Sequence, residues 1–178
     1  YNNLTGSIPA EIGSISNLYL IYLNFNQFSG SIPSELSNLR NLEYLELSKN
    51  QLTGNIPSEL RDLQKLYRLS LFDNRLSGTI PAELGELSNL EELYLYNNEL
   101  TGSIPAELAS LSKLKICVLW GNKLSGRVPQ AIMDHPCWAT NWHLILNQND
   151  YGISEEGIEI YAPEFSVKTI TGETLTND

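Results

Sequence analysis

Cys117, Cys137, His135 and His143 are the only thiols and imidazoles in the chain, and they crowd into one stretch near its C-terminal side. A thiolate with a neighbouring base makes a nucleophile, and a set of N and S donors at short spacing makes a metal site. On the sequence, His143 projects from a late strand near Cys137 and His135, which would allow either a thiol-imidazole pair or a metal. The spacing matches neither, because there is no Cys-x-x-Cys and no paired His ligands. The two cysteines either pair or remain thiols. Carboxylates are scattered without pairing, and no Gly-rich phosphate cradle precedes a helix. The residues therefore predict no enzyme and no cofactor, and they turn attention to the other side chains able to do chemistry, the aromatics.

How the aromatics are held follows from an internal period. Pro9, Pro33, Pro57, Pro81, Pro105 and Pro129 are spaced by 24 residues, as are Asn2, Asn26, Asn50, Asn74, Asn98 and Asn122. One unit reads Leu42-Glu43-Tyr44-Leu45-Glu46-Leu47-Ser48-Lys49-Asn50-Gln51-Leu52-Thr53-Gly54-Asn55-Ile56-Pro57. Leu45 and Leu47 alternate with polar neighbours, the period of a short strand with one face inward. Leu52, Ile56, Leu60 and Leu63 fill the remainder of a coil that cannot bury them alone, so coils must stack into a solenoid. Cys117 takes an inward position where other units carry Leu, which predicts a packed core thiol. The Asn after each strand (Asn26, Asn50, Asn74, Asn98 and Asn122) is expected to bond backbone groups of its own and neighbouring coils. Ile-Pro should fix an extended return segment before a short helical stretch. The expected coil carries one strand per turn.

These residues resemble the plant-type leucine-rich repeat, whose signature Leu-x-x-Leu-x-Leu-x-x-Asn-x-Leu-(Ser/Thr)-Gly-x-Ile-Pro is matched over about residues 1–133. The resemblance implies an α/β repeat fold: a right-handed leucine-rich-repeat solenoid of about six coils, the first one truncated. A parallel β-sheet would line its concave face and short 3-10 or extended segments its convex face, with a C-terminal cap. As to activity it implies a recognition surface rather than one ligand, since such repeats receive peptides, steroids, glycans and proteins.

Within that frame the outward strand positions form three columns, with equivalent side chains about 4.8 Å apart on successive coils. Six residues before each Asn lie Leu20, Tyr44, Arg68, Glu92, Ile116 and His143; four before lie Tyr22, Glu46, Ser70, Tyr94, Val118 and Ile145. Two before lie Asn24, Ser48, Phe72, Tyr96, Trp120 and Asn147. Phe72, Tyr94, Tyr96, Val118 and Trp120 thus predict an exposed patch on three successive coils, of the residue types that dominate interface hot spots and sugar-stacking platforms. Tyr22 and Tyr44 extend it, and Arg68, Glu46 and Glu92 flank it, either to orient a charged peptide or as solvated surface charges. The opposing reading is that the aromatics serve strand pairing alone.

Both ends leave the pattern. The chain opens at the Asn of a repeat, so a preceding coil and any targeting segment are expected upstream of Tyr1. Residues 134–160 read as a cap with a last repeat-like strand, where Trp138 and Trp142 cover the final apolar coil. Residues 161–178 alternate like a β-hairpin. Residues 161–175 also resemble the start of a thioredoxin-like domain, and with the repeats resemble a bacterial secreted or surface protein. The opposing reading is a plain terminal hairpin. Asn3-Leu4-Thr5 is a lone glycosylation sequon.

Eleven Lys plus Arg against 21 Asp plus Glu give a formal charge of -10, which repels phosphate backbones and excludes nucleic acid as a partner. No apolar run is long enough to span a bilayer, so no membrane insertion is expected from this chain. The reading is an extracytoplasmic recognition module (secreted, periplasmic or cell surface) for a protein, peptide or glycan, with self-association through the exposed aromatics as a further possibility. Its rival is a non-catalytic spacer or tether for a downstream domain.

Overall fold

The computed structural model describes residues 2–139 together with the backbone of residues 167–168 and 174–175. In chain order the strands are β1 (Thr5–Ser7), β2 (Leu20–Tyr22), β3 (Gln27–Gly30), β4 (Tyr44–Glu46), β5 (Gln51–Gly54), β6 (Arg68–Ser70), β7 (Arg75–Leu76), β8 (Glu92–Tyr94), β9 (Thr101–Gly102), β10 (Ile116–Val118) and β11 (Lys123–Leu124). Two short helices follow, α1 (Gln130–Met133) and α2 (Pro136–Ala139). Strands β12 (Val167–Lys168) and β13 (Thr174–Leu175) then pair antiparallel. Most of the cap expected over residues 134–160, including His143 and Trp142, and the rest of the tail lie outside the described residues.

The structure corrects the expectation of one strand per coil. Strands β2, β4, β6, β8 and β10 form a five-stranded parallel sheet in spatial order of the coils. The segments after each Asn build a second parallel ladder, β1-β3-β5-β7, followed by a separate parallel pair β9-β11, with an isolated parallel bridge from Thr79 to Thr101. The cause is the constant coil rise: an extended segment repeated at the same height on every coil meets its own copy at hydrogen-bonding distance. Ser77 N–H thus donates to the Gly54 carbonyl at 2.9 Å and Thr101 N–H to the Gly78 carbonyl at 2.7 Å. Gly54 sits at φ +75, a left-handed conformation that a Cβ would strain.

Inside the coil the apolar positions are stripped of water. Leu42, Leu45, Leu47, Leu52, Leu60 and Leu63 are each 0% exposed, and equivalents in neighbouring coils extend one continuous core. Each such leucine contributes about 1.5–3 kcal/mol relative to an exposed one. On the return side, Pro57 (φ -65, ψ 128) is extended and leads into a 3-10 turn over Ser58–Asp62, closed by Leu60 N–H to the Pro57 carbonyl at 3.2 Å. Five such turns recur among the described residues.

Coil packing is tight at Gly85, as it is at Gly13. A Cβ at Gly85 would stand 2.3 Å from the Glu107 carbonyl oxygen of the next turn, a backbone atom that cannot swing away. Gly→Ala normally gains about 0.4–1 kcal/mol by restricting the unfolded chain, whereas overpacking costs about 1–3 kcal/mol. The clash wins, so Gly85→Ala is expected to destabilise, read as a lower urea midpoint with unchanged slope.

Candidate functional site

Strand alternation on the five-stranded sheet turns Leu45, Leu69 and Leu93 inward and the intervening positions outward. The parallel register aligns Tyr22, Glu46, Ser70, Tyr94 and Val118 in one row, and Tyr44, Arg68, Glu92 and Ile116 in another. Phe72, Tyr96 and Trp120 follow β6, β8 and β10 by two residues and are all partly buried.

These three rings form a ladder. Phe72 and Tyr96 stack with centroids 4.4 Å apart and planes 8° from parallel; Tyr96 and Trp120 stack at 4.7 Å and 21°. Tyr94 meets Phe72 edge-on, at 6.5 Å and 69°. Ring spacing matches the rise between neighbouring strands, about 4.7–4.9 Å, so rings of one column fall naturally face to face. This changes what a partner meets. Each interior ring face is taken by the next ring, which leaves ring edges, with their positive quadrupole rim, the Tyr96 hydroxyl and the Trp120 indole N–H.

An ionic cluster adjoins the ladder. Arg68 Nη1 lies 3.3 Å from Glu46 Oε1 and Arg68 Nη2 lies 2.7 Å from Glu92 Oε2. The Tyr94 hydroxyl also donates to Glu92 Oε2 at 3.0 Å, and the guanidinium carbon stands 6.0 Å from the Tyr94 ring centre. Burial works against the charge on Arg68, but the hydrogen bond with Glu46 and the fields of Glu92 and Glu46 outweigh it and raise its pKa. Burial, then the hydrogen bond to Glu92, pushes the Tyr94 phenol up to about 12.

A pH prediction follows from Tyr94. The fold favours its neutral phenol, so that contribution to stability is intact below about pH 10, the unfolded value, and is lost as pH rises towards about 12. Ultraviolet titration of tyrosinate should show a late-ionising group that Glu92→Gln moves part of the way back. An unchanged late group in Glu92→Gln would remove the hydrogen bond as a cause.

Two expectations need correction. Val118, counted in the exposed patch, is only 8% exposed. It faces outward, but its short side chain stands beside Tyr94 in register and two residues before Trp120. Glu46, for which a solvated surface charge is one of the two sequence readings, is 6% exposed and paired with Arg68. Ser48 and Ser70 are likewise buried on this face, at 0% and 1%. By contrast Tyr22 is 55% exposed on the first strand, away from the ladder. Tyr44 joins Tyr67, with centroids 5.3 Å apart, rather than the patch.

Counting outward positions from the Asn missed the column one residue earlier, which holds Glu43, Tyr67, Glu91 and Lys115. Lys115 Nζ binds Glu91 Oε2, and that hydrogen bond is the main cause of a lowered Glu91 pKa. The 24-residue spacing of those positions was the available signal.

The thiols and His135 do different work from that of an active site. Cys117 and Cys137 are both buried thiols. Burial raises the Cys117 pKa well above the usual thiol value and pushes Cys137 up to about 11, which disfavours the nucleophilic thiolate at both. His135 Nδ1 accepts the Cys137 backbone N–H at 3.2 Å and its Nε2 lies 3.2 Å from the Leu111 carbonyl. Both ring nitrogens are thus occupied by backbone groups, so His135 does not serve as base to a thiol. Among the described residues, no three His, Cys, Asp or Glu side chains are grouped to hold a metal ion, and no helix is long and apolar enough to cross a membrane.

Comparison with known proteins places this geometry in context. The leucine-rich repeat region family matches residues 4–135. No curated protein matches the chain. Among solved structures, the plant peptide hormone receptor RGFR1 in complex with RGF2 superposes with a TM-score of 0.77 at 38% identity, covering 83% of this chain and 23% of that one. The Arabidopsis receptor kinase HAESA, in complex with the peptide hormone IDA and the co-receptor SERK1, gives 0.75 at 42%, covering 88% and 26%. A plant ice-binding protein gives 0.68 at 38%, covering 72% and 42%. The chain therefore spans about a quarter of the length of these receptor structures.

Proposed function

The chain belongs to the leucine-rich-repeat family, and from that premise we propose that it is an extracytoplasmic recognition module whose concave sheet face binds an extended peptide or protein segment. The observation that carries this reading is the stacked ladder Phe72, Tyr96 and Trp120, partly open to solvent beside the Glu46, Arg68 and Glu92 cluster. Strand pairing alone does not require three aligned aromatics on successive coils where polar side chains would fold as well. The peptide-bound receptors among the structural neighbours support a peptide or protein partner over other classes.

Ring orientation favours a peptide over a glycan. A sugar stacks its C–H face on an open aromatic face, and here the interior faces are covered by neighbouring rings. Edges and polar tips instead suit backbone carbonyls and side chains laid along the sheet. Self-association is the remaining use of the same surface.

The test is thermal shift and tryptophan fluorescence of the chain against peptide and glycan libraries, with Tyr96→Ala/Trp120→Ala as the comparison. Peptide hits that vanish in the double variant support the reading. Glycan hits alone, or peptide hits indifferent to both substitutions, overturn it, and a concentration-dependent dimer lost in the variant would assign the face to self-association instead.

A further inference from the structure

The cluster beside the ladder sets two carboxylates against one guanidinium. Arg68 looks like an anion receptor in sequence, yet both terminal nitrogens are held by carboxylates, at 3.3 Å and 2.7 Å. Its Nε is buried without a partner, out of reach of solvent. An anionic ligand would have to displace Glu46 or Glu92, and would then face the carboxylate it had displaced. The three charges together leave one negative charge in excess.

The surroundings deepen that excess. On this side of the sheet Glu43, Glu46, Glu91 and Glu92 stand against Arg68 and Lys115, and Lys115 is already paired with Glu91. Glu92 engages both Arg68 and Tyr94 through Oε2, so Oε1 keeps its acceptor capacity. Side-chain exposure of Glu92 is 12%, and partial desolvation strengthens the field of a carboxylate at this surface.

We infer that the ligand of this face is an extended peptide carrying a Lys or Arg side chain, read by the Glu46–Arg68–Glu92 cluster, with a neighbouring apolar side chain against Phe72, Tyr96 and Trp120. This rests on the proposed recognition role and names its partner by charge. Two to four residues of strand separate the carboxylates from the ladder, so the cationic and apolar groups sit roughly 7–13 Å apart. That distance is spanned by neighbouring side chains of one short peptide. Lys and Arg suit the task because an apolar stem lies along ring edges while the charged head reaches the carboxylates.

The experiment uses an arrayed hexapeptide library, N-acetylated and C-amidated so that no terminus supplies charge, with affinities of hits read by fluorescence anisotropy. The expected result is enrichment of Lys or Arg next to an aromatic or branched apolar residue. Glu92→Gln should then weaken those hits about tenfold while leaving uncharged analogues unchanged. Salt titration of the unsubstituted protein gives the same information without a variant: basic hits weaken steadily with ionic strength and their uncharged analogues do not. Hits that are acidic or indifferent to charge, yet lost in Tyr96→Ala/Trp120→Ala, overturn the cation assignment and leave the recognition role standing. An array with no hits dependent on Tyr96 and Trp120 removes both.

Discussion

Asn98→Leu should lower the stability of the chain by about 3–5 kcal/mol, a large share of the 5–15 kcal/mol that holds a domain of ordinary size together. Asn98 is 8% exposed, and its Nδ2 donates to the carbonyls of Leu71 at 3.1 Å, Leu95 at 3.0 Å and Tyr96 at 3.3 Å. Its Oδ1 accepts the Leu76 N–H at 3.0 Å, one coil back. The carbonyls are not wholly orphaned by the change, because Asn74 also donates to Leu71 and Asn122 to Leu95. The Leu76 N–H is different: losing Asn98 leaves a buried donor with no acceptor, at about 1–3 kcal/mol. Weakened carbonyl bonds and a bulkier side chain supply the remainder. Because each coil touches only its neighbours, the break falls mid-stack, and unfolding in denaturant should become broader as well as earlier. A loss below about 1 kcal/mol would mean that leucine packing alone sets the coil path.

Tyr96→Ala should weaken a selected peptide by about 30-fold or more, the scale of a 2 kcal/mol hot spot. Tyr96 is the middle ring, stacked on Phe72 on one side and on Trp120 on the other. Its removal therefore takes away its own edge and hydroxyl and also frees both neighbours from alignment. The two stacks contribute about 1–3 kcal/mol to folding beyond the area the ring buries, well inside the roughly 5–15 kcal/mol of an ordinary domain, which leaves a folded protein to assay. Tyr96→Phe keeps both stacks and should retain most of the binding. Equal losses from Phe and Ala would place the effect on the hydroxyl and not on the ladder.

Residue spacing carried the fold because the solenoid is written in columns. The 24-residue period located every inward leucine of the unit at Leu42–Leu63, and the Ile-Pro step located the extended return that Pro57 adopts. The second sheet was not legible, since Gln51–Gly54 shows no alternation strong enough to mark a strand; its pairing comes from coil rise, a property of the stack. Nor were the left-handed residues immediately before each Asn. Phe25, Lys49, Asp73 and Asn97 have φ of 57, 54, 53 and 52, and Gly121 takes the same role in the next coil at φ 67. No common residue type marks that position, because the following Asn imposes the turn from outside.

The candidate site was legible in direction and not in height. Alternation places Val118 and Glu46 outward, but whether a side chain reaches solvent depends on its neighbours' size, and both are covered. Ring orientation was equally out of reach. Three aromatics at matching positions read as an open platform, whereas the coil rise closes them into a stack. The ice-binding neighbour shares the scaffold at 38% identity, so the fold alone does not select a ligand.

The most direct test uses Trp120 as its own reporter. The chain has three tryptophans, Trp120, Trp138 and Trp142, so Trp138→Phe/Trp142→Phe leaves Trp120 alone. Titrated with a peptide selected on the unsubstituted protein, this variant should show a saturable change in Trp120 emission with the same midpoint as anisotropy of the labelled peptide. Binding by anisotropy with unchanged Trp120 emission would put the ligand elsewhere and contradict the aromatic ladder as the recognition surface.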